Sequence, residues 1–339
     1  MRLLERRCSD RLGLSQPGVT VSNATSGLML ALRAALGDPS PKRPFVAVPS
    51  FTFVASVAAI LWAGWSPLFV DVDASDWHLS ADSLKGLASR SGELAAVMLC
   101  STFGTSASAE RRSEIDALTQ ELGVPVVVDS AAGFGSTDEV GRCLGDQGSL
   151  EVFSFHATKP FAIGEGGLVV SSSEDLLARV RQLANFGLDD MRLLPDQVGI
   201  NAKMPELEAA VGLAVLDGFD RVLEARRRSA GWLLDELAPH GVNRQAGSAG
   251  STFQFVPVLM PDVTSRDRLL RSAKTEAVEL KVYFSPPMHR VARLRDFPRL
   301  TELRTTEEIV GRIVCLPMNN RMGDTDLERI RDLVVSSLR

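Results

Sequence analysis

The chain has 339 residues, 45% of them hydrophobic and 23% charged, with a net charge of −5. That size and balance describe a globular protein with one large domain and a smaller one attached. The longest basic run is Arg226-Arg227-Arg228, which argues against nucleic acid as a main partner, and no apolar stretch reaches the about 18 residues of a membrane span.

Val19-Thr20-Val21 reads as a short strand, followed by a helix over 25–37 in which Leu28, Ala31, Leu32 and Ala35 recur at helical spacing. Phe45-Val46-Ala47-Val48 is a second strand, ended by Pro49-Ser50; 53–63 returns to a helical pattern and 67–72 to a strand. Residues 95–99 and 124–128 are continuous apolar strands separated by a helix near 111–122. Leu150 to Phe155 and Gly167 to Ser171 read as two more strands, with Lys159 between them. Strands alternating with helices, and apolar on both faces, predict a mostly parallel sheet covered on both sides. Residues 205–237 read as one long, broken helix, with Pro205 suited to its first turn. A polar loop at 247–251, a strand at 252–259, a helix near 265–276, a strand at 280–283 and a helix from Asp324 complete an α+β pattern. The expected division is a large domain over 1–217 and a small C-terminal domain over 218–339.

Met1-Arg2-Leu3-Leu4-Glu5-Arg6-Arg7 has no signal-peptide pattern, and Cys8, Cys100, Cys143 and Cys315 show no CxxC spacing. Both features lead us to expect a cytoplasmic protein with reduced thiols. His78, His156, His240 and His289 share no ligand spacing, so no metal centre is expected.

Ligands of parallel sheets bind at the carboxyl ends of the strands. Asp129 stands at such an end, behind five mostly apolar residues and ahead of Ser130-Ala131-Ala132-Gly133. It is either a cap for the next turn or a partner for a cationic ring nitrogen. Ser22-Asn23-Ala24-Thr25-Ser26-Gly27 opens a helix after a strand, where free amides and the Thr25 and Ser26 hydroxyls suit a phosphate. Ser154 offers one more hydroxyl, and Phe53 either a core side chain or a flat face for a ring. Lys159 is either a lysine that reaches solvent or an amine kept for Schiff-base chemistry. Asn201 and Lys203 precede the long helix. Tyr283 and His289 flank the turn Phe284-Ser285-Pro286-Pro287-Met288, and His289 reads equally as a surface histidine or a substrate contact.

Together these segments resemble the DegT/DnrJ/EryC1/StrS family of aminotransferases that depend on pyridoxal 5'-phosphate (PLP), of fold type I. The resemblance runs from about Ser22 to the C-terminal helix. It rests on Ser22-Asn23-Ala24-Thr25, residues 48–55 and 67–73, Asp129-Ser130-Ala131, Ser154-Phe155-His156 with Lys159 and Glu165-Gly166-Gly167, residues 199–204, and Pro287-Met288-His289. It implies that Lys159 forms the internal aldimine and then shuttles protons, and that Asp129 pairs with the pyridinium nitrogen. Ala24, Thr25, Ser26 and Ser154 would bind the cofactor phosphate, and Phe53 would stack on the ring. Asn201 or Lys203 would reach the phosphate of a second subunit, in a homodimer with shared sites, and Tyr283 and His289 would meet substrate. The implied reaction moves an amino group from glutamate to a keto sugar or related keto metabolite.

The chain departs from the family pattern at several positions. Ala132 stands where the family usually has Gln or His near the cofactor's phenolic oxygen, Val128 where it has Glu, and Lys203 where Arg is common. The family's N-terminal arm falls before Met1 in this register. Two alternatives stay open: a PLP enzyme of another reaction, marked by Ala132, and a non-catalytic relative.

Overall fold

The computed structural model describes residues 1–188 and 197–339. The chain opens with α1 (Arg2–Leu12), β1 (Val19–Val21), α2 (Ala24–Leu36), β2 (Phe45–Pro49), α3 (Val54–Ala63) and β3 (Ser66–Val70). It continues with α4 (Ala81–Ala88), β4 (Leu94–Cys100), α5 (Ala109–Leu122), β5 (Val126–Asp129), β6 (Leu150–Ser154), β7 (Gly167–Val170) and α6 (Glu174–Leu183). The strands form one seven-stranded sheet in the order β1-β7-β6-β5-β4-β2-β3. From β6 to β3 neighbouring strands are parallel; β7 runs antiparallel to both β6 and β1. The mostly parallel sheet read from the sequence is therefore present, with one reversed strand.

Side chains alternate between the two faces of a strand, and here both faces are apolar. Val46, Phe69, Met98, Val127, Val152 and Val169 pack toward Leu28 of α2, Ile60 of α3 and Val180 of α6. On the other face Ala47, Leu68, Val97 and Val128 meet Leu87 of α4 and Ile115 of α5. Nearer β7 that face carries Phe153, Leu168 and Val170, covered by Leu4 and Cys8 of α1 and by Ala209 and Leu216 of α7 (Glu206–Asp217).

The remainder consists of α8 (Phe219–Leu237), β8 (Asn243–Arg244), β9 (Val256–Leu259), α9 (Val263–Thr275), α10 (Arg304–Arg312), β10 (Ile313–Leu316) and α11 (Asp324–Ser336). Its antiparallel sheet β10-β9-β8 shares a core with Leu233 of α8, Leu269 of α9 and Leu333 of α11. The long helix read over 205–237 is two helices, parted at Gly218, the poorest non-proline helix former. Phe219, next in line, is fully buried against Phe134 and Phe161. The strand read at 280–283 is absent. Only Lys281 pairs, with Cys315, before Pro286 and Pro287 turn the chain away. The strand read from 252 begins at Val256, because the Thr252 hydroxyl donates to Ala132 O at 2.7 Å and holds the preceding residues out of the ladder. Among the described residues no helix is long and apolar enough to cross a membrane.

Candidate active site

A cavity of about 680 Å3 opens at the carboxyl ends of β4, β5 and β6, where the N-termini of α2 and α3 also arrive. Asp129, Ser154, Lys159, Ala24, Thr25, Phe53 and Tyr283 all line it. Residues spread over 260 positions of sequence converge there because the parallel strands all end on one edge.

Asp129 enters at the end of the valine run of β5 and is 8% exposed. Both carboxylate oxygens are engaged: Oδ2 accepts from the Ser56 hydroxyl at 2.6 Å, and Oδ1 accepts from the Ala131 amide at 3.1 Å. Burial pushes its pKa up, while the Ser56 bond, the Ala131 amide and the charge of Lys159 pull it back. Beneath it, Thr52, Ser56 and the buried Cys100 form one cluster, with the Thr52 hydroxyl 2.9 Å from Ser56 Oγ and 3.2 Å from Cys100 Sγ.

Lys159 sits in the loop joining β6 to β7. Its backbone is fixed by a ladder of turns: Phe155 N to Gly166 O at 2.9 Å, Ala157 N to Gly164 O at 2.8 Å and Lys159 N to His156 O at 2.9 Å. Phe155 and Phe161, both buried, anchor the loop in the core. The amine donates to Gln254 Oε1 at 3.0 Å. Burial lowers the lysine pKa and the nearby Asp129 opposes that shift. The loop also carries His156, whose Nε2 lies 3.5 Å from Glu165.

Helix α2 starts at the Asn23 cap, whose Oδ1 accepts from the Ser26 amide at 2.9 Å. The amides of Ala24 and Thr25 belong to the first turn and have no intrahelical acceptor. This end of the helix opens on the cavity beside Ser154. Ser26 does not line the cavity. Its hydroxyl donates inward to Asn23 O at 2.8 Å, so its part is to hold the turn.

Besides Ser26, three sequence-selected residues lie outside the cavity. Asn201 and Lys203 are exposed on another surface, where Lys203 donates to Asn185 Oδ1 at 2.8 Å and lies over the Phe186 ring. His289 is neither a surface histidine nor a wall of the cavity. It is 2% exposed, with Nδ1 2.6 Å from Ser50 Oγ and Nε2 2.7 Å from Glu307, a buried tie between the start of the α3 loop and α10. Ser56 and Gln254 were not among the residues selected from sequence. Ser56 follows Phe53 by three positions, so it shares the first-turn face of α3; Gln254 stands in no local pattern.

The profile of the DegT/DnrJ/EryC1/StrS aminotransferase family matches residues 1–335. The chain is 35% identical over 333 residues to Protein Rv3402c of Mycobacterium tuberculosis (strain ATCC 25618 / H37Rv), covering 97% of this chain and 80% of that one. It is 28% identical over 341 residues to the dTDP-4-amino-4,6-dideoxy-D-glucose transaminase of Shigella dysenteriae, covering 99% and 88%. DesI, whose crystal structure was analysed in the presence of its TDP-sugar product, superposes with a TM-score of 0.89 at 34% identity, covering 100% of this chain and 84% of that one.

The cavity fits PLP on its own chemistry. A buried carboxylate is poised for a ring cation, a lysine of lowered pKa stands within the same cavity, and a helix N-terminus faces it for a phosphate. The chain belongs to the DegT/DnrJ/EryC1/StrS aminotransferase family, and is a PLP-dependent aminotransferase of fold type I.

Proposed function

We propose that the protein transfers an amino group, drawn from glutamate, to a keto sugar or related keto metabolite. The observation that carries this reading is the meeting of Asp129, Ser154, Lys159 and the first turn of α2 in one cavity. The names of the Shigella transaminase and of the DesI product complex support a sugar acceptor.

PLP, when bound, supplies an electron sink and a carrier for the amino group. The chain supplies the rest. Lys159 is the covalent amine and then the base and acid that moves a proton. Burial pulls its pKa down, toward the neutral form that proton uptake requires. Asp129, held by the Ser56 hydroxyl and the Ala131 amide, would present its carboxylate to the ring nitrogen. The amides of Ala24 and Thr25, with the Thr25 and Ser154 hydroxyls, would bind the phosphate, and Ser26 supports that turn. Phe53, half exposed at the cavity edge, would lie against the ring. Tyr283, edge-on to Phe53 with centroids 6.3 Å apart, would meet the substrate.

We also infer a cytoplasmic homodimer, divided within each chain near 217. The four free cysteines agree with a reducing compartment. The exposed apolar side chains Phe186, Val198, Leu207 and Val211 support a dimer face, in which Asn201 and Lys203, close to Asn185 and Phe186, would reach a second copy's phosphate.

The test is an absorption spectrum of purified protein with and without glutamate. Wild type should show the band of lysine-bound PLP, glutamate should convert it, and Lys159→Ala should lack it. Protein that takes up no PLP would overturn the reading. A bound cofactor that never responds to glutamate would favour another PLP reaction, for which Ala132 in the cavity wall is the motivating feature.

A further inference from the structure

Gln254, the residue that receives the Lys159 amine, comes from the distant half of the chain and has its own orientation fixed at both ends. Lys159 Nζ donates to Gln254 Oε1 at 3.0 Å, while Gln254 Nε2 donates to Thr158 Oγ1 at 3.3 Å. Thr158 is tied in turn to His156: its amide donates to His156 Nδ1 at 3.1 Å and its hydroxyl lies 2.9 Å from the same nitrogen. As an ammonium, Lys159 offers only donors, so the amide presents its oxygen to Lys159 and its nitrogen to Thr158. The backbone beneath Gln254 is pinned as well. The Thr252 hydroxyl donates to Ala132 O at 2.7 Å, and Arg226 Nη1 donates to Phe253 O at 2.8 Å.

We propose that Gln254 is a positioning residue for the lysine amine: whenever Lys159 is not covalently engaged, Gln254 takes one of its N–H bonds and leaves the rest of the nitrogen facing the cavity. The proposal rests on Lys159 being the catalytic amine. An uncharged acceptor is what this task requires. A carboxylate at the same place would hold the lysine as an ammonium, unable to take up a proton, and an apolar side chain would leave the amine free to turn away. The other titratable groups of the cavity are Asp129 at the end of β5, Cys100 at the end of β4, His156 and Glu165 on the lysine's own loop, and Tyr283 from the C-terminal half. None of these hydrogen-bonds the amine, so the contact to Gln254 is separable from them.

Gln254→Glu and Gln254→Leu test the idea in two ways. In the full-length chain without cofactor, trace acylation of Lys159 is followed against pH by peptide mass spectrometry, which reads the titration of that one amine. Gln254→Glu should raise the midpoint by about 1–3 pH units, as an adjacent opposite charge does, and Gln254→Leu should not raise it. In the holoenzyme, Gln254→Leu should lower kcat by about tenfold to a hundredfold with KM for glutamate near wild type. The acid limb of kcat in Gln254→Glu should move to higher pH. A wild-type labelling midpoint in Gln254→Glu, or a wild-type kcat in Gln254→Leu, would overturn the proposal. Gln254→Glu is isosteric at a half-buried position, so the labelling arm survives even if the leucine variant fails to fold. Should Lys159→Ala keep the cofactor band, the reading of the lysine fails, while the labelling shift still reports on the Gln254 contact by itself.

Discussion

Asp129 and Lys159 share one cavity in which burial drives each toward neutrality and the charge of the other holds it back. The balance is set by small partners. Removing the Ser56 hydroxyl removes a bond that lowers the Asp129 pKa, so in Ser56→Ala that carboxyl titrates higher still. We expect the acid limb of kcat against pH to move upward in Ser56→Ala and to return in Ser56→Thr. A second buried carboxyl, Glu151, lies one strand away, 2.5 Å from Ser130 Oγ, and is pushed up from 4.5 to about 7. Its folded pKa is raised, so the native state holds the proton more tightly than the unfolded chain. Its contribution to stability is therefore lost as pH rises from 4.5 to about 7, by an amount on the order of 3 kcal/mol. Glu151→Gln, an imitation of the protonated acid, should flatten that part of the stability profile in urea melts at pH 5 and pH 8; an unchanged slope would clear Glu151 of the effect. Asp129, Thr25 and Lys159 were legible in sequence because strand ends and helix starts have local signatures. Gln254 was not, nor was the buried setting of His289, since their partners stand 95 and 239 positions away.

At the scale of elements, the start of α2 carries the most consequence for its length. Its cap is one side chain, and replacing an Asn cap with Ala costs about 1 kcal/mol. Asn23→Ala should lower the thermal midpoint modestly and weaken PLP affinity as well, because the same turn holds Ala24 and Thr25 at the cavity. Strand β7 presses on that turn: a Cβ at Gly167 would meet Ala24 N and Phe153 O at 3.0 Å each. We expect Gly167→Ala to lose cofactor affinity, measured by titration with PLP, out of proportion to its loss of stability. The central strands were readable as unbroken apolar runs, as parallel strands covered on both faces must be. Helix α1 was harder to read because its inner face mixes Leu4, Cys8 and Leu12 with buried Glu5 and Ser9. Glu5 is buried because Thr20 and Arg181 satisfy it, each bonding it at about 3 Å. The broken helix read over 205–237 agrees with the break at Gly218, whereas 280–283 reads as a strand and is not one, because Pro286 and Pro287 turn the chain after the lone Lys281 pair.

For the molecule as a whole, the proposed homodimer predicts that cofactor binding depends on protein concentration. Leu207, 76% exposed on α7, stands on the proposed face. Leu207→Glu should shift sedimentation from dimer toward monomer and weaken PLP binding in parallel; a monomeric variant of full affinity would separate the two. The order of the large sheet reaches further. Strand β6 lies third from one edge, bonded to β5 on one side and to reversed β7 on the other. It holds Ser154 at one end of the lysine loop, and β5 beside it holds Asp129. Local opening at an edge frees neither residue. In deuterium exchange the amides of 150–154 should open only with global unfolding, whereas those of β8, an edge of two exposed residues, exchange early. Heating should therefore release the cofactor in the same cooperative step that melts the large sheet, while the C-terminal sheet loosens ahead of it.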